Sequence, residues 1–204
     1  MANLFSPESA PYKFMSRLTD IVKLSLLWLL FSLPVVTMGI STIAAFTVTL
    51  KMAEETEGHI GHDFLKAFKA NWKQGIPMSF ITIICIWAVY LDFQIFNAVT
   101  ENAIVFLIIG IVAAYVFGFS LLYVYPLLAR YENTIVNCLR NSFRISMKFF
   151  LRSLLLVLIL AFELAVIFWN GTTLFVGMLM GPAFIMYTVS AFAIKMFREL
   201  DKAV

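Results

Sequence analysis

The residues best placed to do chemistry are few. Glu163 stands alone in SLLLVLILAFELAVIFWN, and Asp92 follows the uncharged run Gln74–Leu91. An ionisable group at the centre of a spanning helix costs about 2.5–3.5 kcal/mol on insertion scales, so such a group faces a cavity or a partner. Its chemistry would be contact with a proton, a cation or a polar substrate. The plainer alternative is a carboxylate near the interface, bonded to a neighbouring hydroxyl; Glu163 is seven residues from the polar turn at Asn170. Both histidines, His59 and His62, lie in EETEGHIGHD with Glu54, Glu55, Glu57 and Asp63. These residue types can bind a divalent metal, but the spacing matches no specific site. Gly58 and Gly61 suggest a flexible, solvated loop, so no metal and no cofactor is expected. No phosphate-binding glycine loop, HExxH or GxSxG occurs, and no Ser/His/Asp set can be assembled. An enzyme is not expected.

The elements that must position these groups follow from composition. The chain has 204 residues, is 62% hydrophobic and only 13% charged, and has a mean hydropathy of +0.92. Uncharged runs cover 24–50, 74–91, 102–129, 153–162 and 164–194. A spanning helix needs about 20 mostly apolar residues, and these runs do not alternate as barrel strands do. The expected fold is all-α: a polytopic integral membrane helical bundle of one domain, with the lipid bilayer as its first partner. The net charge of +3 is read as orienting helices, not as binding nucleic acid. Cys85 and Cys138 form no disulfide framework.

Basic residues fix the expected topology. They fall in four groups: Lys13, Arg17 and Lys23; then Lys51 to Lys73; then Arg130 to Arg152; then Lys195 to Lys202. All 15 lie on the cytoplasmic side only if 24–50 enters and returns. Pro34 breaks the helix before it, and Gly39 permits the backbone of a turn. Thr37 and Ser41 can satisfy freed backbone groups. LPVVTMG is thus expected to be the outer turn of a short first hairpin. The expected segments are approximately 12–33, 40–55, 76–93, 103–129, 150–169 and 174–196. Both termini are then cytoplasmic in a plasma membrane.

FLKAFKANWK, Phe64 to Lys73, matches IVNCLRNSFR, Ile135 to Arg144, at a shift of 71. Apolar types coincide at Phe64/Ile135, Leu65/Val136, Phe68/Leu139 and Trp72/Phe143, and basic types at Lys69/Arg140 and Lys73/Arg144. Amphipathic cytoplasmic helices over approximately 62–74 and 134–147 are expected, with Lys69, Trp72, Lys73, Arg140, Phe143 and Arg144 available to dock lipid or a partner. The same shift pairs Asp92 with Glu163 and Gly110 with Gly181, which suggests a parallel internal repeat.

Three stretches carry a family resemblance: LSLLWLLFSLPVVTMGISTIAAFTVTLKM (Leu24–Met52), DFLKAFKANWKQ (Asp63–Gln74) and YVYPLLARYENTIVNCLRNSF (Tyr123–Phe143). The chain resembles the YesL-like bacterial integral membrane proteins, a family of unknown function. The resemblance assigns no residue a role. It implies a setting beside carbohydrate uptake systems, commonly ABC importers. The expected function is an accessory or regulatory component of such uptake, with permease subunits as partners. The alternative is a small-solute transporter or channel, which would need a homo-oligomer to build a vestibule.

Overall fold

A computed structural model describes residues 10–56, 58–98 and 103–202; the side chain of Lys13 and the whole of Glu57 lie outside them. The described residues form eight α-helices: α1 (Ala10–Ser32), α2 (Met38–Ala53), α3 (Ile60–Ala70), α4 (Trp72–Ala98), α5 (Ala103–Arg130), α6 (Ile135–Lys148), α7 (Phe150–Ile167) and α8 (Gly171–Asp201). Five stretches are long and apolar enough to cross a membrane: Val35–Ala53, Trp72–Ala98, Ile104–Arg130, Phe150–Ile167 and Gly171–Asp201. The chain is an all-helical membrane bundle. The expected sixth span, α1, is not among these five, because Arg17, Asp20 and Lys23 interrupt its first half.

The junction between α1 and α2 is built by proline. Pro34 has φ −74° and ψ 114°, off the helical region, and Leu33 before it is disfavoured there. One 3₁₀ turn, Val35–Thr37, closes through Thr37 N–H to the Pro34 carbonyl at 2.9 Å. The Thr37 hydroxyl reaches the Phe31 carbonyl at 2.7 Å, an acceptor freed by the end of α1. Gly39 does not serve as expected. Among the described residues no glycine has positive φ, and Gly39 sits in the first turn of α2. Its role is close approach: a Cβ there would overlap the Gly75 carbonyl of α4, and a Cβ on Gly75 would overlap Ile40. Two glycines let α2 and α4 cross backbone to backbone, a small-residue contact typical of membrane helices.

α2 is the centre of the molecule. Its buried residues include Ile40, Ile43, Ala44, Ala45, Phe46, Val48 and Leu50. Its start meets Gly75, Phe46 stacks on Tyr125 of α5 at 6.3 Å, and Glu54 just beyond it meets Arg130. Gln74 Nε2 donates to the Asn133 carbonyl at 3.1 Å, so the start of α4 and the end of α5 lie together. α2, about 24 Å long, therefore lies across the base of the α4–α5 hairpin. The turn expected on the face opposite Lys51–Lys73 instead touches α4 two residues after Lys73.

The two amphipathic helices fold back on the helices before them. α3 returns along α2, with Asp63 paired to Lys51 at 2.9 Å and Phe64 and Phe68 against Phe31 of α1. α6 returns along α5: the Ser146 hydroxyl donates to the Phe119 carbonyl at 2.8 Å, and Ser142 donates to that of Ser120. The face of α6 buried against protein is Cys138, Ser142, Ile145 and Ser146; on the expected apolar face Ile135, Leu139 and Phe143 are half-buried and Val136 is exposed. The repeat is also offset in structure. The first amphipathic helix ends at Asn71, the second only at Phe149. Trp72 and Lys73 consequently begin α4, whereas Phe143 and Arg144 lie within α6.

α8 carries Pro182, which removes one backbone donor from the helix. Ser25 of α1 repairs the gap. Its hydroxyl accepts from Ala183 N–H and donates to the Met180 carbonyl, both at 3.1 Å. Buried Ser79 does the same for the turn: it accepts from Gly39 N–H at 2.7 Å and donates to the Val36 carbonyl at 2.8 Å. Thr49 and Ser190 join α2 to α8 at 2.7 Å, and Tyr123 and Ser153 join α5 to α7 at 3.1 Å. Such hydroxyl contacts contribute about 0.6–2 kcal/mol each between membrane helices.

Candidate functional site

The ends of α2, α5 and α8 converge on one guanidinium. Arg130 is the last residue of α5, following LLYVYPLLA. Its Nη1 donates to Glu54 Oε1 at 2.6 Å, and its Nη2 lies 3.6 Å from Asp201 Oδ2. Its planar face covers the rings of Tyr131 and Phe197, with centroids at 5.7 and 5.9 Å. The planar fork suits this double role, which a lysine could not fill. The Tyr131 hydroxyl donates to Asp201 Oδ1 at 3.1 Å. Burial, reinforced by that carboxylate, holds the Tyr131 phenol above its usual range. Arg130 entered the sequence reading only as an orienting charge. The available signal was an arginine closing a long apolar helix in a chain whose acidic loop lacked partners.

That acidic loop is not merely solvated. Glu54 pairs with Arg130, Glu55 with Arg17 at 3.0 Å, and Asp63 with Lys51. The Lys51 ammonium, by hydrogen bonding, holds the Asp63 carboxyl below the usual aspartate range. Glu55 adopts φ 57°, left-handed backbone that costs a non-glycine residue about 1–2 kcal/mol. Among the described residues no three His, Cys, Asp or Glu side chains gather as a metal site; His62 Nδ1 sits 3.6 Å from Asp63.

Beside Arg130 a cleft of about 530 Å³ opens between the end of α5, α6 and the end of α8. Its polar lining is Tyr131, Glu132, Asn133, Asn141, Arg144, Lys148 and Asp201, two cations and two carboxylates, with apolar residues beneath. Arg144 and Lys148 are one helical turn apart on α6 and exposed, as is Arg140. Phe143 is half-buried. Cys138, also on the wall, is buried, and burial pushes its thiol up, which keeps it protonated and inert. The arrangement can hold an acidic or mixed-charge segment of a partner. Lys69, Trp72 and Lys73 are exposed but lie at the other end of α2, near the Pro34 turn.

Asp92 and Glu163 are not brought together. The Asp92 carboxylate packs on Gly110, within the α4–α5 hairpin. Glu163 Oε1 accepts from the Thr188 hydroxyl at 2.8 Å, within the α7–α8 hairpin. Its other oxygen, Oε2, is buried without a partner among the described residues.

Fold and site together define a polytopic α-helical membrane protein whose one polar junction ties three helix ends. Residues 21–93 match the family described as "Protein of unknown function, DUF624". The chain is similar to the "Uncharacterized protein YesL" of Bacillus subtilis (strain 168), 28% identical over 127 residues, which is 60% of this chain and 60% of that protein. Both likenesses cover part of the chain, and the chain spans about 60% of the length of that relative. No solved structure matches it. The matched residues 21–93 run from the middle of α1 through the Pro34 turn, α2 and α3 into α4. They hold the Gly39–Gly75 crossing and Ser79.

Proposed function

We propose that the chain is an accessory or regulatory membrane component of bacterial carbohydrate uptake of the ABC type, docking permease subunits through its basic end. The observation that supports this most is the cleft beside Arg130. It is open, carries the cations Arg144 and Lys148, which make no ion pair among the described residues, and is braced by an ion-pair junction that needs no substrate to form. A regulatory subunit needs such a rigid docking face and no catalytic group. The sugar-uptake setting rests on the resemblance to YesL-like proteins. Co-purification with a tagged sugar importer from the native membrane tests the reading. The expected result is a complex that Arg144→Glu/Lys148→Glu weakens at least tenfold. A clean monomer under mild detergent, with no permease, rejects it.

The second reading, a small-solute transporter, is favoured by the unpartnered Glu163 Oε2. Solute uptake into proteoliposomes by the wild-type protein, lost in Glu163→Gln, would establish it. The separation of Asp92 and Glu163 into two hairpins favours the accessory reading.

A further inference from the structure

The charge count puts the Leu33–Gly39 turn across the bilayer from the lysine-rich segment before α4. The contacts put it beside that segment. Ser79 of α4 holds both the Gly39 amide and the Val36 carbonyl. Gly75, against Ile40, follows Lys73 by two residues. Phe31, at the end of α1, lies edge-on to Phe68 at 5.0 Å, adjacent in sequence to Lys69. A hydrocarbon core of about 30 Å cannot separate groups in direct contact. The turn and Lys69–Lys73 therefore share one face of the bilayer.

The tip of this hairpin is apolar and uncovered. Leu30, Leu33, Val35 and Val36 are exposed, Leu33 at 76%. Beside it stand Trp72, 54% exposed, and the exposed Lys66, Lys69 and Lys73, none of which makes an ion pair among the described residues. We infer that the α1–α2 hairpin is re-entrant and binds one anionic lipid leaflet. It enters and leaves on the basic face, with Leu33, Val35 and Val36 among the acyl chains. Trp72 sits at the head-group level, and the three lysines meet anionic head groups. This arrangement keeps every basic residue on one face without a second full crossing.

Single-cysteine reporters test it in a Cys85→Ser/Cys138→Ser background. Leu33→Cys reports the tip, Arg140→Cys the basic end and Trp169→Cys the α7–α8 turn. Each is exposed to a membrane-impermeant maleimide in intact cells and in inside-out vesicles. Leu33→Cys is expected to react from the Arg140 side or from neither side, while Trp169→Cys reacts from the other. Reaction of Leu33→Cys from the Trp169 side, to half the extent of Trp169→Cys or more, overturns the re-entrant assignment. A fluorophore on Leu33→Cys in vesicles with spin-labelled lipids tests the leaflet. Quenching is expected to be stronger with phosphatidylglycerol than with phosphatidylcholine alone. Lys66→Gln/Lys69→Gln/Lys73→Gln should reduce that difference at least threefold. Quenching indifferent to lipid charge overturns the head-group contact.

Discussion

Two apolar runs, each long enough to cross a membrane, have opposite surroundings. In the Val35–Ala53 stretch 61% of the best apolar window is buried inside the protein; in Ile104–Arg130 the share is 6%. α2 is rich in small and hydroxyl residues, and every neighbouring helix approaches it closely. α5 presents Ile104, Ile108, Ile111 and Val112 outward, as a helix solvated by lipid does. Composition separates the two, and so does mean hydropathy, 1.5 for the first and 2.6 for the second. In a bilayer the hydrophobic effect does not drive helices together, so association falls to tight packing and hydroxyl bonds. α2 has both.

The strongest way to break this contrast is to add volume. Gly39→Leu places a side chain on the Gly75 backbone and should destabilise by about 3 kcal/mol or more. Gly118→Leu on α5, where a Cβ meets nothing within 4 Å, should change stability by less than about 0.5 kcal/mol. Thermal unfolding in detergent, followed by gel filtration, compares them; equal losses would erase the distinction. Next in size is Ser25→Ala. It leaves the Ala183 amide and the Met180 carbonyl without their partner and should cost about 1–3 kcal/mol. Ile111→Ala on the lipid face should leave the same melting curve nearly unmoved. Arg130→Met removes the tie among α2, α5 and α8. The pairs are partly exposed, so the loss should be about 1–2 kcal/mol. It should show as faster proteolysis near Glu54 and Asp201, with α5 itself intact.

The smallest effect is in pH. Asp63 is held below its unfolded value of about 3.9 by Lys51, so its contribution is present above that value. It is lost as pH falls through the lowered folded-state value. Melting temperature should therefore be insensitive to this pair from neutrality down to about pH 4, then decline further below. Lys51→Met should flatten that part of the decline.

Helix existence and the membrane class were legible because long uncharged runs have one physical solution in lipid. Pro34 marked a break for the right reason, its missing donor and the restricted residue before it. Gly39 did not mark the turn, because a glycine needed for φ and one needed for contact look the same in sequence. The contact of the turn with Gly75 and Ser79 of α4 was not legible, because positive residues report which loops stay inside, not which helix a hairpin between them packs against. Asp92 and Glu163 were visible as isolated carboxylates, but their separate partners, Gly110 and Thr188, depend on hairpin packing that a shift of 71 residues does not encode. Arg130 was hidden because its partners come from positions 54 and 201.

The buried polar residues have one further consequence. Ser25, Ser41, Thr49, Ser79, Ser142, Ser146, Ser153 and Ser190 are all hydroxyl-bearing; no carboxylate, amine or imidazole is fully buried among the described residues. Hydroxyls do not change charge between the acidity of a fermenting culture and that of fresh medium. The hydroxyl ties among the helices therefore do not titrate, unlike the Glu163 carboxylate on Thr188. The described ion pairs that a change in salt can loosen lie at the rim, where Arg17, Lys51, Arg130 and Arg152 hold their carboxylates in reach of water.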